Sequence, residues 1–304
     1  MELNGQSSDL NGVLPPGREL HNKDEPIFDQ GLAFDVTTLM DRRQVIKLIG
    51  SGGVAVGLMT ILGCTPGAIL SSVSSAGSSP SAGSAAATGT DASCATIPEE
   101  TAGPFPGDGS NGPDVLSQSG VVRSDIRSSF GTSSTVAEGI PLTIRLTIQD
   151  QANNCAPIAG AAVYIWHCDR DGNYSLYSQA VTAENYLRGV QAADSNGVVT
   201  FTSIFPACYS GRWPHIHFEV YPSLAKATDQ ANKIATSQIA LPKETCDAVY
   251  ATDGYGQSVA NMTQVSLASD NVFGDDGGVH ELGTISGTVS GELTVELAVP
   301  VMTA

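Results

Sequence analysis

Basic residues are scarce in this chain of 304 residues: 14 lysines and arginines stand against 31 aspartates and glutamates, for a formal charge of −17. A surface of that sign repels phosphate backbones and anionic lipid, which excludes nucleic acid or a charged membrane face as the main partner. Charged residues are thin overall, at 15%, while 33 glycines and 16 prolines are spread through short segments. That distribution excludes a helical bundle and suits a β-rich domain with many turns. No internal repeat is visible. The apolar stretch from Leu48 to Leu62 is too short for a confident membrane span.

What the first ninety residues contain is a leader rather than a core. Residues 1–39 are polar and patternless, with Met40 a candidate start. Asp41-Arg42-Arg43-Gln44-Val45-Ile46-Lys47 then precedes the apolar stretch, a pattern that resembles a twin-arginine export signal. Ile61-Leu62-Gly63-Cys64 resembles a lipoprotein cleavage box, so residues 1–64 read as a signal region. Lipidated Cys64 is then the one route to a membrane anchor, and plain cleavage further on is the alternative. Residues 65–93, almost wholly Ser, Ala, Gly and Thr from Ser71 onward, cannot bury enough apolar area to offset their ordering entropy and read as a disordered linker. The chain is expected to work outside the cytoplasm, extracellular or at the cell surface.

Residues 94–304 carry the period-two signal of strands. Leu142-Thr143-Ile144-Arg145-Leu146-Thr147-Ile148 alternates strictly and Ala162–His167 more loosely. Val198–Ser203, His215–Val220, Ser237–Leu241 and Thr284–Val299 are further strands, separated by turn signals such as Asp171-Gly172, Asn196-Gly197 and Asp276-Gly277-Gly278. The expected fold is all-β, an antiparallel sandwich with long loops.

The chemistry concentrates between Trp166 and Val220. In Trp213-Pro214-His215-Ile216-His217-Phe218, two histidines on one strand face the same way, which is half a metal site. For an isolated His-x-His, one exposed and one core histidine is the ordinary alternative. Tyr209 lies just upstream and Tyr174 ends the turn Asp171-Gly172-Asn173-Tyr174. Glu219, by alternation on the same face, offers a His–His–Glu site suited to Zn(II) or Fe(II). Two tyrosinates favour Fe(III) instead, because a hard, highly charged cation displaces the phenol proton. Tyr177 competes with Tyr174 as the second phenol. Trp166, with Tyr164 and Cys168, is assigned to packing; His167 points the other way and is expected to be exposed or to support the site from behind.

The segments Thr96–Phe105, Ile165-Trp166-His167-Cys168-Asp169-Arg170-Asp171-Gly172-Asn173-Tyr174-Ser175, Leu187-Arg188-Gly189, Gly197–Phe201, Pro206-Ala207-Cys208-Tyr209 with the His-Ile-His segment, and Thr236–Leu241 occur in that order. Together they resemble the intradiol ring-cleavage dioxygenases, which include protocatechuate, catechol and hydroxyquinol dioxygenases. The resemblance implies one mononuclear non-haem Fe(III) held by Tyr174, Tyr209, His215 and His217. It further implies catalytic roles for Tyr209 and Arg212, with Arg212 stabilising charge on the ring, and a place for Gln238 in the substrate pocket. Fe(III), two tyrosinates and one hydroxide sum to zero charge, so burial costs little. The implied reaction inserts both atoms of O2 into a small aromatic diol of the catechol type, giving a muconate-type diacid. Ala207 before the ligand tyrosine, Trp213 beside Arg212 and a long spacing from His217 to Gln238 depart from the family pattern.

Cysteines 94, 155, 168, 208 and 246 would sit in an oxidising compartment. Spacing does not fix their pairing; Cys94–Cys155 and Cys208–Cys246 are the preferred bridges, with Cys168 buried and free. The competing class is a non-catalytic exported β-sandwich binding module, whose turns look similar and which has no use for His-x-His with two tyrosines.

Overall fold

The computed structural model of the chain describes residues 94–303. The signal and linker expectations for residues 1–64 and 65–93 lie outside the described residues. Among the described residues, nine strands and two short α-helices follow one another: β1 (Pro141–Asp150), β2 (Ala156–Pro157), β3 (Ala162–Trp166), β4 (Arg188–Ala192), β5 (Val198–Ile204), β6 (His215–Tyr221), β7 (Ala235–Ala240), α1 (Lys243–Tyr250), α2 (Gly256–Met262), β8 (Thr284–Gly287) and β9 (Leu293–Val301). They form two sheets, one ordered β2-β1-β9-β8 with β5 also on β1, the other β4-β3-β6-β7. The all-β sandwich is therefore as expected. One pairing departs from an antiparallel reading: β1 and β9 run parallel from Leu142↔Leu293 to Asp150↔Val301.

Alternation explains the first sheet. Leu142, Ile144, Leu146 and Ile148 of β1 are buried while their neighbours are open or half-open. They meet Phe201 of β5, Val295 and Val299 of β9, and, from the facing sheet, Val163, Ile165, Ile216, Phe218, Val220 and Ile239. Each such side chain contributes roughly 1.5–3 kcal/mol on burial. In the second sheet β3, β6 and β7 are buried at every position. That is why β3 alternates only loosely in the sequence: its outer face lies beneath loops instead of water, and Tyr164 and Trp166 fill it.

One strand candidate differs from the sequence reading. Thr284–Val299 is a hairpin, β8 and β9, broken where Gly287 takes a φ of 92°. Between β4 and β5, the Asn196-Gly197 turn appears as expected; Gly197 has a φ of 74°, and a Cβ there would lie 2.5 Å from the Ile148 carbonyl, so the turn requires glycine.

Cys94 and Cys155 form a disulfide with a Cα–Cα distance of 5.8 Å, tying residue 94 to the β1–β2 connection. Closing so long a loop stabilises the fold by about 4 kcal/mol in the chain-entropy picture. The preferred Cys208–Cys246 bridge is not formed. Both thiols are buried and each lies on a carbonyl of its own segment, Cys208 Sγ 3.5 Å from Arg212 O and Cys246 Sγ 3.8 Å from Leu241 O. Cys168 is buried and free.

Candidate metal centre

Strand pairing lays out the floor of the site. Arg188, Trp166, His217 and Gln238 are register partners in one row across β4, β3, β6 and β7, so their side chains share the outer face. His215 lies two residues before His217 on that face. Trp213 anchors the start of β6 by donating its Nε1–H to Leu241 O at 2.9 Å, and the Leu241 N–H returns to Pro214 O at 3.0 Å. The Trp213 carbonyl accepts from His215 Nδ1 at 2.5 Å; a carbonyl can only accept, so the proton sits on Nδ1 and the Nε2 lone pair is free to face the site. His217 is held by ring contact instead, stacked on Trp166 with centroids 4.9 Å apart and planes 4° apart. Trp166 is thus packing, as expected, and packing against a candidate ligand.

Loops bring in the phenols. Asp169 Oδ1 accepts the N–H groups of Asp171 and Asn173, shaping the turn that delivers Tyr174, whose own N–H is taken by Ser178 Oγ at 3.0 Å. Tyr209 follows Cys208, and α2 grips Cys208 from both sides: its N–H donates to Ser258 Oγ at 3.0 Å, and its carbonyl accepts from Asn261 Nδ2 at 2.8 Å. The serine and asparagine of α2 carried no motif that would have marked them as supports.

The four nominated donors converge. Tyr174 Oη lies 3.5 Å from Tyr209 Oη and 3.4 Å from His215 Nε2, Tyr209 Oη lies 3.2 Å from His215 Nε2, and the two imidazole Nε2 atoms are 3.1 Å apart. Bonds of about 2.0–2.2 Å to nitrogen and oxygen space the ligands of one ion by such distances. Electrostatics point the same way. Burial first, then the Arg212 charge, holds His215 well below the usual imidazole range, and burial with His215 and Arg212 does so for His217. Burial pushes Tyr209 up to about 12, and burial together with Tyr209 pushes Tyr174 well above the usual phenol range. Left to themselves these are neutral, acceptor-bearing groups facing one another in a dry place. A polyvalent cation is the partner that such a set lacks, and it would reverse the tyrosine shifts.

The rival ligands are engaged elsewhere. Glu219 accepts from Tyr221 Oη at 2.6 Å and pairs with Lys233 Nζ at 2.9 Å. Among the described residues no group of three or more His, Cys, Asp or Glu is placed to hold a metal. Glu219→Gln is accordingly expected to leave metal content and visible spectrum unchanged, measured by elemental analysis and absorbance; loss of the metal would restore the carboxylate site. The Tyr177 hydroxyl accepts from Gly107 N at 2.8 Å and donates to Asn111 O at 3.2 Å, away from the donor cluster. His167 is not exposed: it is buried, with Nδ1 donating to Cys168 O and Nε2 bonded to Ser203 Oγ, both at 2.7 Å.

Arg212 is buried beside the cluster with Nη1 3.4 Å from His215 Nε2. Gln238 is adjacent, yet both ends of its amide are used: Oε1 accepts from Arg212 Nη2 at 2.7 Å and Nε2 donates to Thr101 O at 2.9 Å. Its reach toward a substrate therefore passes through Arg212. The strap Thr101–Phe105 roofs the donors. Gly103, at a φ of 69°, comes so close that a Cβ would lie 3.3 Å from His217 Cε1, and the Phe105 ring lies 5.0 Å from that of Tyr174.

The family profile described as Dioxygenase matches residues 127–232, which include both tyrosines, both histidines and Arg212. Chlorocatechol 1,2-dioxygenase of Rhodococcus opacus is 36% identical over 66 residues, 22% of this chain and 26% of the relative. Catechol 1,2-dioxygenase 2 of Acinetobacter lwoffii is 34% identical over 95 residues, 25% of this chain and 34% of the relative. The matched part thus spans between a quarter and a third of these curated relatives. The solved structure of an intradiol ring-cleavage dioxygenase from Tetranychus urticae superposes with a TM-score of 0.54 at 26% identity, covering 69% of this chain and 95% of that one. The profile, the fold and the ordered motifs thus agree in what the chain is similar to, the intradiol ring-cleavage dioxygenases.

Proposed function

We propose that the protein is a ferric intradiol dioxygenase that opens a catechol-type ring between its two hydroxyl-bearing carbons. The observation that carries this reading is the mutual approach of two phenol oxygens and two imidazole nitrogens beside one buried guanidinium. Tyr174, Tyr209, His215 and His217 would hold the ion. When bound, Fe(III) would draw the protons from the phenols, chelate the substrate as a diolate and make its ring reactive toward O2.

The rest of the chemistry belongs to the chain. Tyr209, half-buried where Tyr174 is closed off, would be the phenolate that takes a proton from an incoming hydroxyl, a role its greater exposure supports. Arg212 is raised above the usual guanidinium range: burial opposes its charge, but Tyr209, Asp270 and Tyr174 outweigh it. It can therefore keep a fixed positive charge where negative charge grows on the ring. The strap with Gly103 and Phe105 and the stacked Trp166 exclude water from the far side of His217 and Tyr174. The product would retain every atom of diol and O2, one new oxygen on each side of the broken bond.

We also propose that the protein acts outside the cytoplasm. The Cys94–Cys155 bridge supports this, since disulfides persist in oxidising compartments, alongside the Arg42-Arg43 signal pattern.

Iron-loaded protein supplied with catechol, protocatechuate or hydroxyquinol is expected to take up one O2 per diol with at least one of them and release a ring-opened diacid. Binding of the diol without oxygen uptake from any of the three would favour the non-catalytic module.

A further inference from the structure

The segment after α2 supplies a carboxylate to the site from outside the matched residues 127–232 and beyond the Thr96–Leu241 motifs. Asp270 is 2% exposed, and all four contacts of its carboxylate are with donors. Oδ2 receives Arg212 Nε at 3.0 Å and the Trp213 backbone N–H at 2.6 Å. Oδ1 receives the backbone N–H groups of Val272 at 2.8 Å and Phe273 at 3.1 Å.

The guanidinium is flat, so two fixed nitrogens fix the third. Nε is held by Asp270 and Nη2 by Gln238 Oε1, which leaves Nη1 directed at the donor cluster. The same carboxylate seats Phe273, whose ring lies 5.8 Å from the Arg212 guanidinium carbon and 6.5 Å from the His215 ring. Its hold on the Trp213 N–H also reaches the residue whose carbonyl orients His215.

We infer that Asp270 is a positioning residue, a clamp from the C-terminal segment that sets the plane of Arg212 so that Nη1 faces the bound diolate. This rests on the dioxygenase reading. The plain alternative is a staple that merely folds the loop through Val272 and Phe273. The two differ in whether the effect of Asp270 passes through Arg212.

A double-mutant cycle with Asp270→Asn and Arg212→Gln separates them. Hydrogen bonds to a charged group are worth factors of about 10–100, so Asp270→Asn is expected to lower kcat with catechol by that factor in the wild-type background. In the Arg212→Gln background its further loss should shrink to less than about threefold. The second readout uses metal-free protein. The side-chain Nε–H of Arg212, identified in a nitrogen-edited NMR spectrum by its absence from Arg212→Gln, is expected to exchange slowly with solvent and to become fast in Asp270→Asn.

Equal fold-losses in both backgrounds would reduce Asp270 to a loop staple. So would an Arg212 Nε–H that exchanges freely in the wild type, a measurement that stands even if the Asp270 variant does not fold. A wild-type chain that is inert toward diols overturns the dioxygenase reading itself, and this role with it. An active wild type with an additive cycle overturns the clamp alone.

Discussion

Tyr209→Phe is expected to keep the fold and lose the reaction, with oxygen uptake falling by about a thousandfold or more. The ring makes its packing contacts without the hydroxyl, including the edge-on approach to Tyr174 at 5.9 Å and to His215 at 5.5 Å, so unfolding should shift little. What disappears is one of two anionic oxygens that would balance a trivalent charge in a dry site, together with the acceptor for the substrate proton. An uncompensated buried charge is costly, so metal content should fall with the rate. Tyr177→Phe is the matched control, since its hydroxyl serves Gly107 and Asn111 and not the donor cluster. Equal losses in the two variants would remove Tyr209 from the centre.

Arg188→Met is expected to act on stability. Arg188 is 1% exposed, and its guanidinium donates to Phe105 O at 3.0 Å, Pro106 O at 2.8 Å, Ser175 O at 2.9 Å, Ser175 Oγ at 3.0 Å and Tyr164 Oη at 3.1 Å. Methionine fills part of the volume and satisfies none of these acceptors. Pro106 O keeps the Tyr164 hydroxyl at 2.7 Å, but Phe105 O and Ser175 O are left unpaired, which should cost roughly 3–5 kcal/mol, a sizeable share of the 5–15 kcal/mol typical of a domain. Denaturant midpoints would register it. Because Phe105 and Gly103 belong to the same strap, the variant should also lose its metal at lower denaturant than it unfolds. A change below about 1 kcal/mol would mean that the strap holds without Arg188.

These two residues mark what could and could not be read from the chain. Tyr209, His215 and His217 were legible because period-two geometry and closeness in sequence bring them together before any tertiary contact is known. Tyr174 was legible through its turn, where Asp169 folds the chain around Gly172. Arg188 was quoted for its motif, but not as the start of a strand: its charge reads as a surface signal, and only the five acceptors from distant segments show why it belongs inside. His167 misled for a similar reason, since alternation gives a face and not what covers it; Ser203 and the Cys168 carbonyl make burial acceptable there. Cys208 and Cys246 looked like a bridge because it would tie a segment flanking the site to a neighbouring loop, yet each thiol finds a carbonyl nearer its own backbone. Asp270 had no motif at all, and its meaning comes from Arg212 and Trp213, far away in the sequence. Gln238 is the register partner of His217, and its amide is committed to Arg212 and Thr101.

The central claim is that two tyrosinate oxygens and two imidazole nitrogens grip one ferric ion. Titrating Fe(III) into the metal-free full-length protein while recording the visible spectrum tests it directly. A broad phenolate-to-iron charge-transfer band that saturates at one iron per chain, and fails to develop when both Tyr174 and Tyr209 are phenylalanine, is the predicted result. Stoichiometric iron binding without colour, or a band indifferent to the loss of both phenols, would contradict it.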